Sequence, residues 1–279
     1  MTTNPAVVAL RLLHVDAPEE ITRVPAAWPR WAVLFPHVLA AVENSERGDG
    51  ATGAMASWLL DRAGTYLRAR GRAGEARDLL ERALAIDEVD LGPDHPDVAV
   101  RLNNLGLILE DLGEFAAARS LVERALAIDE AAYGPDHSEV AIRLNNLAMI
   151  LHDLGELAPA QSLVERALAI DEGVYGTDHI NVAIDLNNLA MILRDLGEPV
   201  AARSLVERSL AICEAAYGPD HPDVALRLSN LATIRQDLGE FAAARSLLER
   251  ALAITEAIFG PDHPDSQRRR QGLARLTDE

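Results

Sequence analysis

The sequence predicts an all-α chain, a solenoid of antiparallel helix hairpins, and three observations carry that prediction. The first is a tetrapeptide that returns every 42 residues without slippage: Gly92-Pro93-Asp94-His95, Gly134-Pro135-Asp136-His137, Gly176-Thr177-Asp178-His179, Gly218-Pro219-Asp220-His221 and Gly260-Pro261-Asp262-His263. The second is a pair of apolar stripes inside each period, both with the three-and-four spacing of an amphipathic helix. The third is the shortness of the segment between the stripes, which requires adjacent helices to run antiparallel. A period of this size means that each unit buries its apolar face only against the next, producing an extended surface instead of one enclosed pocket.

Taken in order, residues 1–50 read as an N-terminal helical cap. Within them, 26–45 predict a helix whose Trp28-Pro29-Arg30-Trp31 and Leu34-Phe35-Pro36-His37 lay aromatic side chains against the first hairpin. Residues 51–92 form a first, looser repeat through Leu60, Ala63, Gly64, Leu67, Gly71 and Ala76, with Asp61-Arg62 where later repeats carry Asn-Asn. Residues 93–134 show the unit clearly. Asp94 is a good N-cap, Pro96 is tolerated in the first turn, and Asp97 complements the positive end of the helix dipole. Val98, Leu102, Leu105, Gly106 and Leu109 make the stripe of a first helix that ends at Leu112-Gly113, where glycine suits the left-handed terminal position. Ala118, Leu121, Val122, Ala125, Leu126 and Ile128 make the stripe of a second helix that runs out at Tyr133-Gly134. Small Gly106 and Ala118 let the two backbones approach. Residues 135–176, 177–218 and 219–260 repeat the pattern, and 261–279 predict a capping helix from Pro264 to Leu276 that Arg268, Arg269, Arg270 and Gln271 keep polar.

Composition excludes several functions. Acidic residues number 44 against 26 basic ones, all of them Arg, and the formal charge of -18 repels nucleic acid and anionic membranes. A single cysteine, Cys213, makes no intramolecular disulfide and suits a reducing, cytoplasmic setting. It replaces Asp87, Asp129 and Asp171 of the other repeats and reads as a neutral change. Arg11 interrupts the apolar start and no apolar run approaches about 18 residues, so neither a signal peptide nor a membrane span is expected. The five recurring histidines sit beside their own helix starts. Neighbouring helices lie roughly 8 to 10 Å apart whereas a zinc ion needs ligands at about 2 Å, so the histidines belong to the turns. No metal, cofactor or catalytic group is expected.

Leu102, Leu105, Gly106, Leu109, Ala118, Val122 and Ala125 match the spaced large and small positions of the tetratricopeptide motif. With Leu102-Asn103-Asn104-Leu105 and Glu123-Arg124-Ala125-Leu126-Ala127-Ile128, the 42-residue period resembles the repeats of kinesin light chains and their bacterial relatives. That resemblance implies a right-handed superhelical solenoid whose first helices line a concave groove. The stretch 26–45, with Tyr66-Leu67-Arg68-Ala69-Arg70-Gly71, also resembles the segment preceding the repeats in bacterial NB-ARC (STAND) signalling ATPases. A chain without lysine cannot supply the phosphate-contacting lysine of such a switch.

Away from the apolar stripe, the first helices collect Asn103, Asn145, Asn187 and Ser229, then Asn104, Asn146, Asn188 and Asn230. They also collect Leu107, Met149, Met191 and Thr233, the varied Glu110, His152, Arg194 and Gln236, and an unbroken row of Asp111, Asp153, Asp195 and Asp237. Side-chain amides can grip a ligand backbone, methionines add adaptable apolar contact, and an acidic row favours a basic ligand. The opposing readings are that the asparagines bond to the neighbouring hairpin and that the aspartates partner arginines on adjacent helices. The expected function is a non-enzymatic scaffold that holds a peptide or partner helix of another protein. The alternative is the detached sensor arm of an NB-ARC ATPase whose switch lies on another chain. On the groove reading, replacing Asn145 and Asn187 by alanine weakens binding and leaves melting nearly unchanged.

Overall fold

The first helix of every repeat after the opening one starts at a histidine, and the backbone explains why. Asp94 was the expected cap, but the cap lies one residue later: the His95 ring Nδ1 accepts the Asp97 backbone N–H at 3.1 Å, with Pro96 as the first helical residue. The same bond recurs from Glu139 to His137, Asn181 to His179, Asp223 to His221 and Asp265 to His263, at 3.2 to 3.3 Å. Three of these rings also stack on the last aromatic residue of the preceding helix, at 4.2 to 4.6 Å between centroids: His179 on Tyr175, His221 on Tyr217 and His263 on Phe259. Both helix ends rely on glycine. At Gly113 (φ 77°) the chain closes with the Glu114 N–H bonded to the Leu109 carbonyl at 2.8 Å. At Gly134, φ 88° with ψ 161° is a region open essentially to glycine alone.

This computed structural model describes residues 5–18, 21, 27–46 and 52–276, and among them there are thirteen helices and no strand. They are α1 (Pro5–Asp16), α2 (Trp28–Glu46), α3 (Gly53–Ala69), α4 (Ala73–Leu91), α5 (Pro96–Asp111), α6 (Phe115–Tyr133), α7 (Ser138–Asp153), α8 (Leu157–Tyr175), α9 (Ile180–Asp195), α10 (Pro199–Tyr217), α11 (Pro222–Asp237), α12 (Phe241–Phe259) and α13 (Pro264–Arg275). The sequence treats the array as one series, whereas the structure divides into two compact units, Met1–Pro135 and Asp136–Glu279.

In the first unit α3 pairs with α4 and α5 with α6, and α4 packs on α5. Helix α2 joins as expected, with buried Trp31 6.1 Å and Phe35 6.2 Å from the Tyr66 ring. Helix α1, not foreseen in the sequence, packs on α2 and α3 and brings His14 onto Trp58 at 4.3 Å. The close approach expected at Gly106 is real, since a Cβ there would meet Val122 at 2.6 Å. In the second unit α7/α8, α9/α10 and α11/α12 are the hairpins, and α13 covers the last one by packing Leu273 and Leu276 against Ala232, Ala244 and Leu248.

Two polar devices tie hairpin to hairpin. On the second helices an arginine of one repeat reaches back to a glutamate of the repeat before and to a carbonyl in the loop that joins the two: Arg124 to Glu88 (2.7 Å) and Pro93 O (2.8 Å), Arg208 to Glu172 and Thr177 O (both 2.9 Å). In the core of the first unit, Arg101 of α5 donates to Asp87 of α4 at 2.9 Å and to Ser57 at 3.0 Å, all three buried. A buried ion pair with additional hydrogen bonds fixes register more than it adds net stability.

The histidine caps lead to a direct expectation. Replacing His221 by alanine lowers stability by about 1 kcal/mol, and His221→Asn, which keeps a cap acceptor but loses the ring stack on Tyr217, recovers most of that in urea unfolding.

Candidate functional site

At 100° per residue, Val100, Asn104, Leu107 and Asp111 fall within about 60° of one another on the side of α5 away from Val98. The equivalents are Ile142, Asn146, Met149 and Asp153 on α7, Ile184, Asn188, Met191 and Asp195 on α9, and Leu226, Asn230, Thr233 and Asp237 on α11. Within each unit successive first helices touch (α3 with α5, α7 with α9, α9 with α11), and no two second helices approach to the same degree. First helices therefore form the inner side of each stack.

The structure separates the two asparagine columns. Asn103, Asn145 and Asn187 are only 4 to 6% exposed. Asn145 accepts a hydrogen bond from Asn188 and donates to Asp185. Asn187 accepts from Asn230 at 2.8 Å and donates to Asn188 at 3.2 Å. In the first unit buried Asp61 takes the acceptor role and receives Asn104 Nδ2 at 2.8 Å, which explains the departure from Asn-Asn at that repeat. Asn103 donates weakly to Asn104 at 3.5 Å. The fourth member of the column, Ser229, is held by Arg269 of α13 at 3.0 Å. The amides thus form a ladder between stacked hairpins. The expectation that Asn145 and Asn187 can be removed without cost to stability is corrected by their burial. Asn104, Asn146, Asn188 and Asn230 are half-buried, at the edge of the inner face.

The aspartate row is also tied back. Asp111 takes Arg68 of α3 at 2.6 Å, Asp195 takes His152 of α7 at 2.7 Å, and Asp237 takes Arg194 of α9 at 3.1 Å. His152 also lies 3.3 Å from Asp153. In these three pairs Arg68, His152 and Arg194, which share one repeat position, supply the base for the aspartate one repeat on. These rim pairs are partly solvated, and each is worth about 0 to 1 kcal/mol. Glu110 and Gln236, at the same position, are half-buried.

The sequence reading passed over the column Val100, Ile142, Ile184 and Leu226. Ile142 is 37% and Leu226 43% exposed, and Val100 and Ile184 are half-exposed. Leu107, Met149 and Met191, likewise half-exposed, continue the apolar strip. The signal was present in the sequence: an apolar residue repeating every 42 positions on the side of the helix away from the core stripe has no hairpin to bury it.

Among the described residues no group of three or more His, Cys, Asp or Glu side chains is placed to hold a metal ion, and no helix is long and apolar enough to cross a membrane.

A family model for the tetratricopeptide repeat matches five overlapping stretches: residues 54–131, 102–173, 141–211, 182–257 and 224–279. The chain belongs to the tetratricopeptide repeat family. Such repeats serve as protein–protein interaction scaffolds. No curated protein matches the chain. Among solved structures it is similar to a kinesin-light-chain-type protein of Podosopora anserina with nearly identical TPR-like repeats, at 25% identity and a TM-score of 0.56 over 72% of this chain and 96% of that one. BtubC (BKLC) of P. vanneervenii shares the fold at 24% identity and a TM-score of 0.64, covering 85% and 94%. A thermophilic tetratricopeptide protein of Thermus thermophilus does so at 21% identity and 0.57, covering 80% and 100%.

Burial of the first amide column makes Asn187→Ala a stability variant. It leaves the Asn230 amide without its acceptor and lowers unfolding free energy by about 1 to 2 kcal/mol in a urea titration.

Proposed function

We propose that this tetratricopeptide chain is a non-enzymatic scaffold that holds an extended peptide or a partner helix along the inner face of its first helices. The observation that carries the proposal is the apolar strip of Ile142, Ile184 and Leu226 with Met149 and Met191, left uncovered in the second unit and flanked by Asn146, Asn188 and Asn230. A single exposed apolar side chain needs no explanation, whereas a strip of them rimmed by polar groups is the composition of a binding surface. Methionine lets such a surface adapt to its partner. The half-buried amides offer donors and acceptors to a ligand backbone, and the chain's charge of -18 favours a partner with basic side chains. The buried amide column is not required for this reading, because the ligand contacts fall on Ile142, Met149, Ile184, Met191, Leu226 and the second amide column.

The test is capture of a partner from source lysate by the full chain and by an Ile142→Ser, Leu226→Ser double variant. Both side chains are already substantially exposed, so the variant keeps its melting temperature while affinity for the captured partner falls at least about tenfold, and binding weakens as salt rises to about 0.5 M. Equal capture by both forms moves the site off the inner face. A captured partner that carries a nucleotide switch favours the sensor-arm alternative.

A further inference from the structure

The two positions of the buried Asp87–Arg101 pair recur in the sequence every 42 residues: Asp87 and Arg101, Asp129 and Arg143, Asp171 and Asp185, Cys213 and Arg227, Thr255 and Arg269. The third couple breaks the rule. Where every other repeat places arginine, α9 places Asp185, and opposite it on α8 stands the ordinary Asp171. Both are buried, Asp171 at 3% and Asp185 at 2% exposure. Two carboxyl groups therefore meet inside the joint between the α7/α8 and α9/α10 hairpins, where a guanidinium would neutralise one of them.

The surroundings offer little to hold two negative charges. From α7, Asn145 donates to Asp185. On α8 itself the neighbouring charge is Glu172, which repels Asp185 and is countered by Arg208 of α10 at 2.9 Å. At the start of α9 His179 acts on Asp171. On α10, Ser209 spends its hydroxyl on the Ala183 carbonyl of α9. No donor reaches Asp171 Oδ1 or Asp185 Oδ2. Like-charged carboxyls in one dry site share a proton, because only one of them can ionise cheaply. We propose that Asp171 and Asp185 form a proton-dependent latch, in which protonated Asp185 donates to Asp171 and holds the two hairpins together, and loss of that proton loosens the α8/α9 joint.

Titration follows the geometry. Burial pushes Asp171 up to about 6, and burial together with the Asp171 charge pushes Asp185 up to about 8. Both groups bind protons more tightly in the folded chain than in the unfolded one, where they titrate near about 4. The latch therefore contributes fully below about pH 4 and is lost as pH rises through the two folded values.

Thermal unfolding of the full chain at pH 6 and pH 9, compared with Asp185→Asn and Asp185→Arg, tests the latch. An asparagine can donate to Asp171 at any pH, and an arginine re-creates the arrangement of Asp87 and Arg101. The parent loses at least about 4 °C more than Asp185→Asn between the two pH values, and Asp185→Arg melts above the parent at pH 9. The infrared carbonyl stretch of a protonated carboxylic acid, present in the parent at neutral pH, disappears in Asp185→Asn. Parallel loss of melting temperature in parent and variant, or absence of the acid band from the parent, overturns the proposal. If Asp185→Asn fails to fold, Asp171→Asn removes the shared proton from the other side, with the same two readouts.

Discussion

A hairpin of two helices has more apolar surface than its own two members can cover. In this chain the remainder is covered by the next hairpin: Val182, Ala183, Leu186, Ile212, Val224, Ala225, Leu228, Ala251 and Ile254, drawn from the two consecutive hairpins α9/α10 and α11/α12, form one buried cluster. Everything else depends on that stacking. It decides which side of each first helix is inner, and it brings residues 36 to 43 positions apart into hydrogen-bonding range. Hydrophobic burial is indifferent to a small slide or rotation of one hairpin on the next, so the polar groups set into the interface carry the register.

Those polar groups have different tolerance for change. The amide ladder joins neutral partners, and an aspartate at Asp61 can stand in for an asparagine because the acceptor is all that Asn104 needs. The Asp–Arg couple is less forgiving, since changing one member leaves a charge in a site of low polarity. Three repeats have changed it. In the repeat with Cys213, Arg227 turns to Ser209 Oγ at 3.4 Å and lies 3.9 Å from the Asp223 carboxylate. Where Thr255 stands, Arg269 finds Ser229 Oγ, and burial lowers its proton affinity. Among the described residues, the couple with Asp185 is the one with no arginine at either position.

Most of the architecture was legible because its determinants are local. Glycine at the helix ends, proline at the starts and apolar residues at three-and-four spacing act within one turn of helix, so α5 to α12 appear in the sequence nearly as they stand. What escaped depends on the neighbour. Asn103 and Asn104 are adjacent in sequence and equally polar, yet the first lies toward the flank that the next hairpin covers and the second toward the open side, a distinction no single helix reveals. Asp94 and His95 competed for one cap, and the histidine takes it whether proline, serine or isoleucine follows, at Pro96, Ser138 and Ile180. Cys213, read as a neutral change, belongs to the same buried couple as Asp87, which becomes visible only when position 101 is known to sit opposite position 87.

Ten glycines with positive φ punctuate the chain, from Gly71 to Gly260, at intervals of 21 residues. The interval holds across both kinds of turn, although the helices they follow differ in length, because the shorter first helix is preceded by a longer loop. The chain is therefore modular at the level of backbone torsion. A segment cut from Gly176 to Tyr217 is followed by Gly218, which has the φ of Gly176, and preceded by Tyr175, which ends its helix as Tyr217 does, so a duplication or excision of that length rejoins without asking any residue to adopt a new φ. Lengthening an array in this way adds inner-face surface in increments of one hairpin.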